Sequence, residues 1–301
     1  MSSCRWIVVS AMLALALVVP ALAQADYSKT VRYGPFTVPG GSEEMPGMKQ
    51  AVRLAVSKPC SECYVTSFTP DLVYGDGSTA DMDNGMMMLH HAVFASQWRS
   101  DATCSGNWLG LAGERFFASG DERSRVEFTT ADGYRYGYRL HWYDQWNMLV
   151  NLMNMSAGDK EVYVAVTYTY RSAYDSVRPV KPVWLDIDNC GDSEYSIPAG
   201  YYEKSWTWQS TMNGKVVGMA GHLHHTGQWI ESTNQTRNNR LICRSYALEE
   251  MDHIVAMSPC TDYLPVRMWR GDTIRLTSAY NSDVLRDDVM GIMLGYVYRT
   301  S

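Results

Sequence analysis

The chain is a succession of short segments with the composition of β-strands, and this pattern limits its fold more than any other feature. Aromatic residues stand among valine, threonine and isoleucine in runs such as EVYVAVTYTY (161–170), YRYGYRLHWY (134–143) and VMGIMLGYVY (289–298). Several runs alternate polar and apolar residues with period two, as half-buried strands do, and no long segment has helical periodicity. The sequence therefore predicts an all-β protein built from antiparallel, jelly-roll-like β-sandwiches.

Residues 1–25 have the features of a secretory signal peptide. Arg5 precedes an apolar run from Trp6 to Val19, and the small-x-small patterns of a cleavage site follow Pro20. A retained N-terminal anchor is the alternative, although the run is short for a membrane span. We expect a secreted protein, extracellular or periplasmic, with no membrane contact after cleavage.

A proline-containing stretch, residues 172–186, predicts a break between two domains. It holds Pro179 and Pro182 and begins without strand periodicity. The predicted units are residues 26–185 and residues 186–301, each of them a β-sandwich. About 275 residues after cleavage are enough for two ordinary domains.

The charge balance excludes some partners. The net charge is −6, and removal of Arg5 with the signal peptide makes it −7. Without a run of lysine or arginine, this mild acidity argues against a surface for nucleic acid or anionic membrane. A small molecule or a peptide remains as the substrate class, and the sequence does not indicate an oligomeric state.

Six of the seven cysteines remain after cleavage, which suggests three disulfides in an exported chain. We predict that Cys63 pairs with Cys104 across the HH segment, and that Cys243 pairs with Cys260. Cys60 and Cys63 form a CxxC motif, for which a redox-active pair or a zinc site is the alternative.

Six of the seven histidines fall into three tight groups. The groups are His90-His91 in MLHHAVF, His141 in YRLHWYD, and His222, His224 and His225 in GHLHHTG. Imidazole is the commonest protein ligand for zinc, copper, iron and nickel, so the clustering indicates a metal protein.

The GHLHHTG segment offers the best ligand geometry. Residues i and i+2 of a strand share a face, so His222 and His224 can reach one ion while His225 faces away. Met290 or Met293 could supply a soft third ligand that selects copper, whereas a buried core methionine is the plainer interpretation. Two ordinary surface histidines are the alternative for the HxH pair.

The other groups are harder to place. Adjacent strand residues point to opposite faces, so His90 and His91 reach one ion only across a twist or a bulge. From geometry alone we expect one of the two as a ligand. His141 either completes a three-histidine site or is a core histidine with its hydrogen bonds satisfied.

These motifs, in this order, resemble the copper type II, ascorbate-dependent monooxygenases, the core shared by peptidylglycine α-hydroxylating monooxygenase and dopamine β-monooxygenase. Residues 60–300 carry the resemblance through the HH pair, the lone histidine, HxHHxG and the late methionine strand. The stretches YGPFTVP and KPCSECYVTSFTPDLVYGDG also resemble the stress-up-regulated nodulin-related proteins.

The resemblance implies two copper ions and ascorbate as the reductant. One ion would be bound by His90, His91 and His141, and the other by His222, His224 and Met290, which would then be the catalytic set. The two ions would face each other across a solvent-filled cleft between the two domains.

Three positions depart from the peptide hydroxylases. Ala220, Leu294 and Gly291 stand where that branch has an arginine, a tyrosine and a cysteine. The first two substitutions remove substrate contacts, so we do not expect a peptidylglycine substrate.

The leading hypothesis is an exported copper monooxygenase that hydroxylates a C–H bond with O2 and a reductant. The alternatives are an exported copper-binding protein without turnover and a metal-free β-sandwich that binds a ligand through its aromatic residues.

Overall fold

The computed structural model describes residues 26–104, 107–108, 111–188, 190 and 193–301, with the backbone alone at 107–108 and 111–112. The predicted signal peptide, residues 1–25, lies outside these ranges. Within them, no helix is long and apolar enough to cross a membrane.

Strands make up nearly all of the regular structure. In the first part of the chain they are β1 (Tyr27–Val38), β2 (Gly47–Val56), β3 (Cys63–Val73), β4 (Met87–Ser96), β5 (Asn107–Trp108), β6 (Leu111–Ala112), β7 (Glu114–Ser119), β8 (Val126–Glu127), β9 (Tyr136–Leu140), β10 (Trp146–Asn154) and β11 (Lys160–Ser172). The later strands are β12 (Arg178–Asp186), β13 (Glu194–Ile197), β14 (Gly200–Gln209), β15 (Gly214–Leu223), β16 (Gly227–Asn234), β17 (Arg240–Glu250), β18 (His253–Met257), β19 (Val266–Met268), β20 (Thr273–Ser282) and β21 (Arg286–Arg299). Two 3-10 turns, Gln235–Arg237 and Thr261–Tyr263, are the helical elements of the described residues, so the all-β prediction is confirmed.

The strands form three main sheets. The first has the order β2-β10-β4-β7, and the last has the order β14-β20-β16-β17-β18. Between them runs the long sheet β1-β11-β3-β9-β12-β21-β15-β19. The described strand pairs are antiparallel except for a two-residue parallel contact between β9 and β12.

Two hydrophobic cores lie on opposite faces of the middle of the long sheet. Strand β21 sends Ile292 into the first core and Met293 into the second. Strand β12 does the same with Trp184 and Val183. A strand buried on both faces reads as a near-continuous apolar run, which accounts for the composition of VMGIMLGYVY.

The stretch expected to break the chain is partly a strand. Residues 178–186 form β12, which pairs with β21 from Val180 to Asp186 and contributes to both cores. The division into residues 26–185 and 186–301 stays a prediction.

The structure contains three disulfides among its described residues, Cys60–Cys63, Cys104–Cys190 and Cys243–Cys260. The predicted Cys243–Cys260 pairing is confirmed, whereas the predicted Cys63–Cys104 pairing is wrong. Cys63 begins β3 in the long sheet, while Cys104 follows β4 of another sheet, so the two cysteines do not flank neighbouring strands. The bond within the CxxC motif leaves neither thiol free to bind zinc.

Candidate metal centre

Four imidazoles from the HH and HxH motifs meet between the first sheet and the long sheet. The ring centroids of His90 and His91 are 4.0 Å apart, and that of His224 lies 5.1 Å from His90 and 5.2 Å from His91. The His222 ring completes the group at 5.2 Å from His91 and 5.3 Å from His224. Two segments that are 133 residues apart in sequence therefore build one cluster.

A β-bulge brings both members of the HH pair to the same side. Strand β10 pairs with β4 at Asn151↔His91 and Met153↔Met88, so one residue of β10 opposes two residues of β4 at this point. This two-against-one pattern re-aims side chains, which would otherwise alternate between faces. The bulge is the irregularity that the sequence analysis required for His90 and His91 to reach one ion.

The HxH pair stands at the end of β15. His222 pairs with Ile292 of β21, and His224 follows the last residue of the strand, so the period of two places both rings on one face. The ring of His225 contacts none of these imidazoles, and its Nδ1 contacts the carboxylate of Glu249. This separation agrees with the alternation of a strand.

A buried carboxylate orients His222. The Oε2 atom of Glu122 lies 3.1 Å from Nδ1 of His222, and Oε1 accepts a hydrogen bond of 2.9 Å from the N–H of Gly120. Burial raises the pKa of Glu122, but the charge and hydrogen bonds of His222 and Gly120 outweigh it and hold the pKa below its usual value. Glu122 is therefore ionised at neutral pH, and Nδ1 of His222 donates to it.

The main chain orients His224. The carbonyl of Asp288 accepts a hydrogen bond from Nδ1 of His224, and the N–H of His224 donates to the Tyr280 hydroxyl at 3.0 Å. Tyr280 in turn donates to the carbonyl of Met290. With its proton on Nδ1, a neutral His224 directs the lone pair of Nε2 at Nε2 of His91, 3.1 Å away.

Two buried imidazole nitrogens of the four histidines lack partners. Nε2 of His222 and Nδ1 of His90 are buried and have no hydrogen-bond partner among the described residues. A buried polar atom without a partner costs about 1–3 kcal/mol, so a bound group that accepts these lone pairs would remove a penalty. His90, His91 and His224 each offer a nitrogen within 4.8 Å of the other two, and the residues present therefore fit a metal ion.

The surroundings of the cluster favour neutral imidazoles over protonated ones. Burial, followed by the charge of His222, lowers the pKa of His90 to about 4. Burial and the neighbouring histidines hold the pKa values of His91 and His224 well below the usual value. These three imidazoles are neutral at neutral pH, which is the form that binds a metal.

A cavity of about 130 Å³ opens onto the cluster and is lined by His90, His222 and His224. Met88 and Met153 line it as well. The cavity gives a small molecule such as O2 room beside the imidazoles.

His141 lies apart from the cluster. It follows the end of β9, its ring stacks on Tyr143 with centroids 5.0 Å apart, and Nδ1 is 3.7 Å from Glu62. Its carbonyl accepts a hydrogen bond of 2.9 Å from Nζ of Lys58. The structure therefore places the HH pair beside the HxH pair, and not beside His141.

The two candidate methionines lie on opposite faces of β21. Met290 is two residues from Ile292, the partner of His222, and packs in the first core on the histidine side. Met293 is completely buried in the second core. Of the two, Met290 is the residue on the face that carries His222.

Residues 134–299 match the family model described as "Stress up-regulated Nod 19" (SURNod19), which covers more than half of the chain. The chain belongs to the SURNod19 family. The matched region contains His141, the HxHH segment and Met290, and begins after the HH pair.

Two curated relatives of this SURNod19 protein are similar over most of their length. The "Probable copper-dependent oxygenase M1" of Phoma sp. is 29% identical over 299 residues, which cover 92% of this chain and 74% of the relative. The "Probable copper-dependent oxygenase clz3" of Cochliobolus lunatus is 28% identical over 250 residues, which cover 76% and 77%.

Three residues of the site escaped the sequence analysis. Glu122 and Asp121 follow β7, whose pairing with β4 (Ala92↔Ser119) brings their turn beside the HH pair. His253, the histidine outside the three groups, lines the same cavity, with Nε2 3.7 Å from Asp121. Sheet pairing between distant segments leaves no linear motif, so no sequence signal marked these residues.

Proposed function

We propose that this SURNod19 protein is an exported copper-dependent oxygenase. The observation that carries the proposal is the cluster of four imidazoles, with buried nitrogens that have no protein partner. The two relatives bear the name of probable copper-dependent oxygenases, which supports the same choice of metal and reaction class. Three disulfides suit the oxidising compartment of an exported protein.

Copper fits this donor set better than the other common metals. Neutral imidazoles bind zinc, copper, iron and nickel, and among divalent ions copper has the highest intrinsic affinity for such a site. The thioethers of Met88 and Met153 at the cavity add soft donors that favour Cu(I).

The reaction we propose is hydroxylation of a substrate C–H bond. Bound copper would supply the one-electron chemistry that reduces O2 and removes hydrogen from carbon. One oxygen atom enters the C–OH group and the other leaves as water, so two electrons and two protons come from a reductant such as ascorbate. The substrate is a small molecule or a peptide, and Ala220 and Leu294 beside His222 offer it no charge.

The protein contributes ligand orientation and a restricted space. Glu122 and the Asp288 carbonyl hold the protons of His222 and His224 on Nδ1, which leaves the lone pairs of both Nε2 atoms for the cluster. The cavity offers space for small molecules beside the imidazoles.

We propose one copper ion in the four-imidazole cluster. The two ions that the resemblance implies stay a prediction, in which His141 would bind the second ion from a position outside the cluster. Metal stoichiometry distinguishes the two arrangements.

Copper binding without turnover is the second candidate. Four imidazoles around one ion would close its coordination sphere, whereas a catalytic metal keeps a position open for substrate. This geometry favours a binding protein if all four rings remain bound.

The test is copper content after loading and dialysis, together with ascorbate-dependent O2 uptake, for the wild type and for the His224→Ala and His141→Ala variants. We expect one copper and O2 uptake in the wild type, loss of both in His224→Ala, and retention of both in His141→Ala. Loss of one of two coppers in His141→Ala would support the two-site arrangement instead. Copper without O2 uptake would favour the binding protein, and no retained copper would overturn the proposal.

A further inference from the structure

Among the described residues, two histidines of the GHLHHTG segment contact a glutamate, and the two contacts differ in their relation to the cluster. In the first, Glu122 contacts Nδ1 of His222, whose Nε2 faces the cluster without a partner. In the second, Glu249 contacts Nδ1 of His225, which lines the same cavity but whose ring contacts none of the four imidazoles. The exposed fractions of the His222 and Glu122 side chains are 15% and 5%, against 27% and 26% in the second pair.

We propose that Glu122 is a positioning residue for the metal centre, which acts through His222 and makes copper binding depend on the contact between two sheets. This inference rests on the proposed copper site and names a residue that no sequence motif marks. Glu122 follows β7 of the first sheet, whereas His222 belongs to β15 of the long sheet.

The hydrogen bond determines which nitrogen of His222 binds the metal. Nδ1 of His222 is occupied by its contact with Glu122, whereas Nε2 is buried without a partner, so Nε2 is the nitrogen left for the metal. The second oxygen of Glu122 is bonded to the N–H of Gly120, which fixes the carboxylate and with it the plane of the ring.

The space around the His222 ring is also restricted. A Cβ atom at Gly120 would lie 2.6 Å from Cε1 of His222 and 2.5 Å from Oε2 of Glu122. The ring is therefore held between a backbone without a side chain and a buried carboxylate, and has little freedom to turn.

Glu122 also makes His222 different from His224. The partner of His224 is the neutral carbonyl of Asp288, whereas the partner of His222 is negatively charged. A carboxylate raises the basicity of the imidazole that it contacts and strengthens its bond to a metal. Removal of such a partner lowers metal affinity by roughly 10- to 100-fold in known metal sites.

The experiment compares Glu122→Gln with Glu249→Gln by copper competition titration, by electron paramagnetic resonance of the Cu(II) form, and by thermal unfolding with and without copper. We expect Glu122→Gln to bind copper about 10- to 100-fold more weakly, with an altered spectrum and a smaller copper-induced rise in Tm. The Glu249→Gln variant should match the wild type in all three.

The readouts separate a positioning role from a structural one. A residue that only supports the fold would lower the Tm of the metal-free protein and leave the Cu(II) spectrum of the folded fraction unchanged, and that result would overturn the inference. Equal losses in both variants would also overturn it. A wild type that binds no copper would instead refute the proposed function, so the two failures are distinguishable.

Discussion

At the scale of single residues, the site depends on small groups around the histidines as much as on the histidines themselves. Sequence reasoning identified His222 and His224 because the spacing of two in a strand is visible in the sequence. It missed Glu122 and Gly120, since their relation to His222 arises from a contact between sheets across 100 residues. The reason for a glycine at position 120 is clear only in the structure, where a side chain would collide with the ring of His222.

Replacement of Gly120 by alanine tests this close approach. The added Cβ would stand 2.6 Å from Cε1 of His222, so the ring must move. We expect weaker copper binding and a stability loss of about 1–3 kcal/mol, measured by copper titration and urea unfolding.

Gly158→Ala is the matched control, because a Cβ there meets no atom within 4 Å. It should leave copper affinity unchanged. Equal copper affinity in Gly120→Ala and the wild type would show that the ring has more freedom than the structure indicates.

At the scale of elements, the composition of the chain predicted strands but not their neighbours. The runs at 161–170 and 289–298 lie in β11 and β21, as their β-branched and aromatic residues require. The wrong Cys63–Cys104 pairing assumed that sequence neighbours share a sheet, whereas β3 and β4 belong to different sheets. The sequence analysis named a bulge only as a condition for His90 and His91 to reach one ion. It could not place the bulge between β4 and β10, because no residue type marks it.

Of the three disulfides among the described residues, Cys104–Cys190 should contribute most to the stability of the fold. It joins residues 86 apart, whereas Cys60 and Cys63 are 3 apart. Loop-closure entropy predicts a loss of about 4.6 kcal/mol for Cys104→Ser/Cys190→Ser and about 1.6 kcal/mol for Cys60→Ser/Cys63→Ser.

Urea unfolding of the two double variants measures this difference. Both lose two sulfurs, so each serves as the control for the other. A larger loss in Cys60→Ser/Cys63→Ser would contradict the entropic argument and would indicate that the short loop supports local packing.

At the scale of the whole molecule, polar contacts as well as cores join the first and second parts of the chain. Asp132 accepts hydrogen bonds from Nζ of Lys215 at 2.9 Å, from the Tyr136 hydroxyl at 2.8 Å and from Thr130 at 2.7 Å. Burial raises the pKa of Asp132, but these hydrogen bonds outweigh it and hold the pKa well below its usual value.

This depressed pKa predicts a dependence of stability on pH. A carboxylate with a lowered pKa in the folded state stabilises the fold above its unfolded pKa of about 4, and the stabilisation is lost as pH falls below that value. We expect Asp132→Asn to be less stable than the wild type by about 1–3 kcal/mol at pH 7, with the difference shrinking between pH 4 and pH 2.

Urea unfolding at pH 7, 4 and 3 measures the effect, with Glu44→Gln at an exposed position as the control. The control should differ little from the wild type at any pH. A gap between Asp132→Asn and the wild type that does not narrow in acid would show that Asp132 acts through packing rather than through its charge.

The extra residue of β4 opposite β10 has a consequence for how such sites arise and disappear. Two adjacent histidines join one cluster here only because one strand is a residue longer than its partner over this stretch. A single-residue insertion in β10 beside Leu152 would restore regular alternation and turn one imidazole away. A descendant carrying that insertion would keep every histidine of the motif and lose the cluster of imidazoles, so an intact HH pair in a sequence does not guarantee a site.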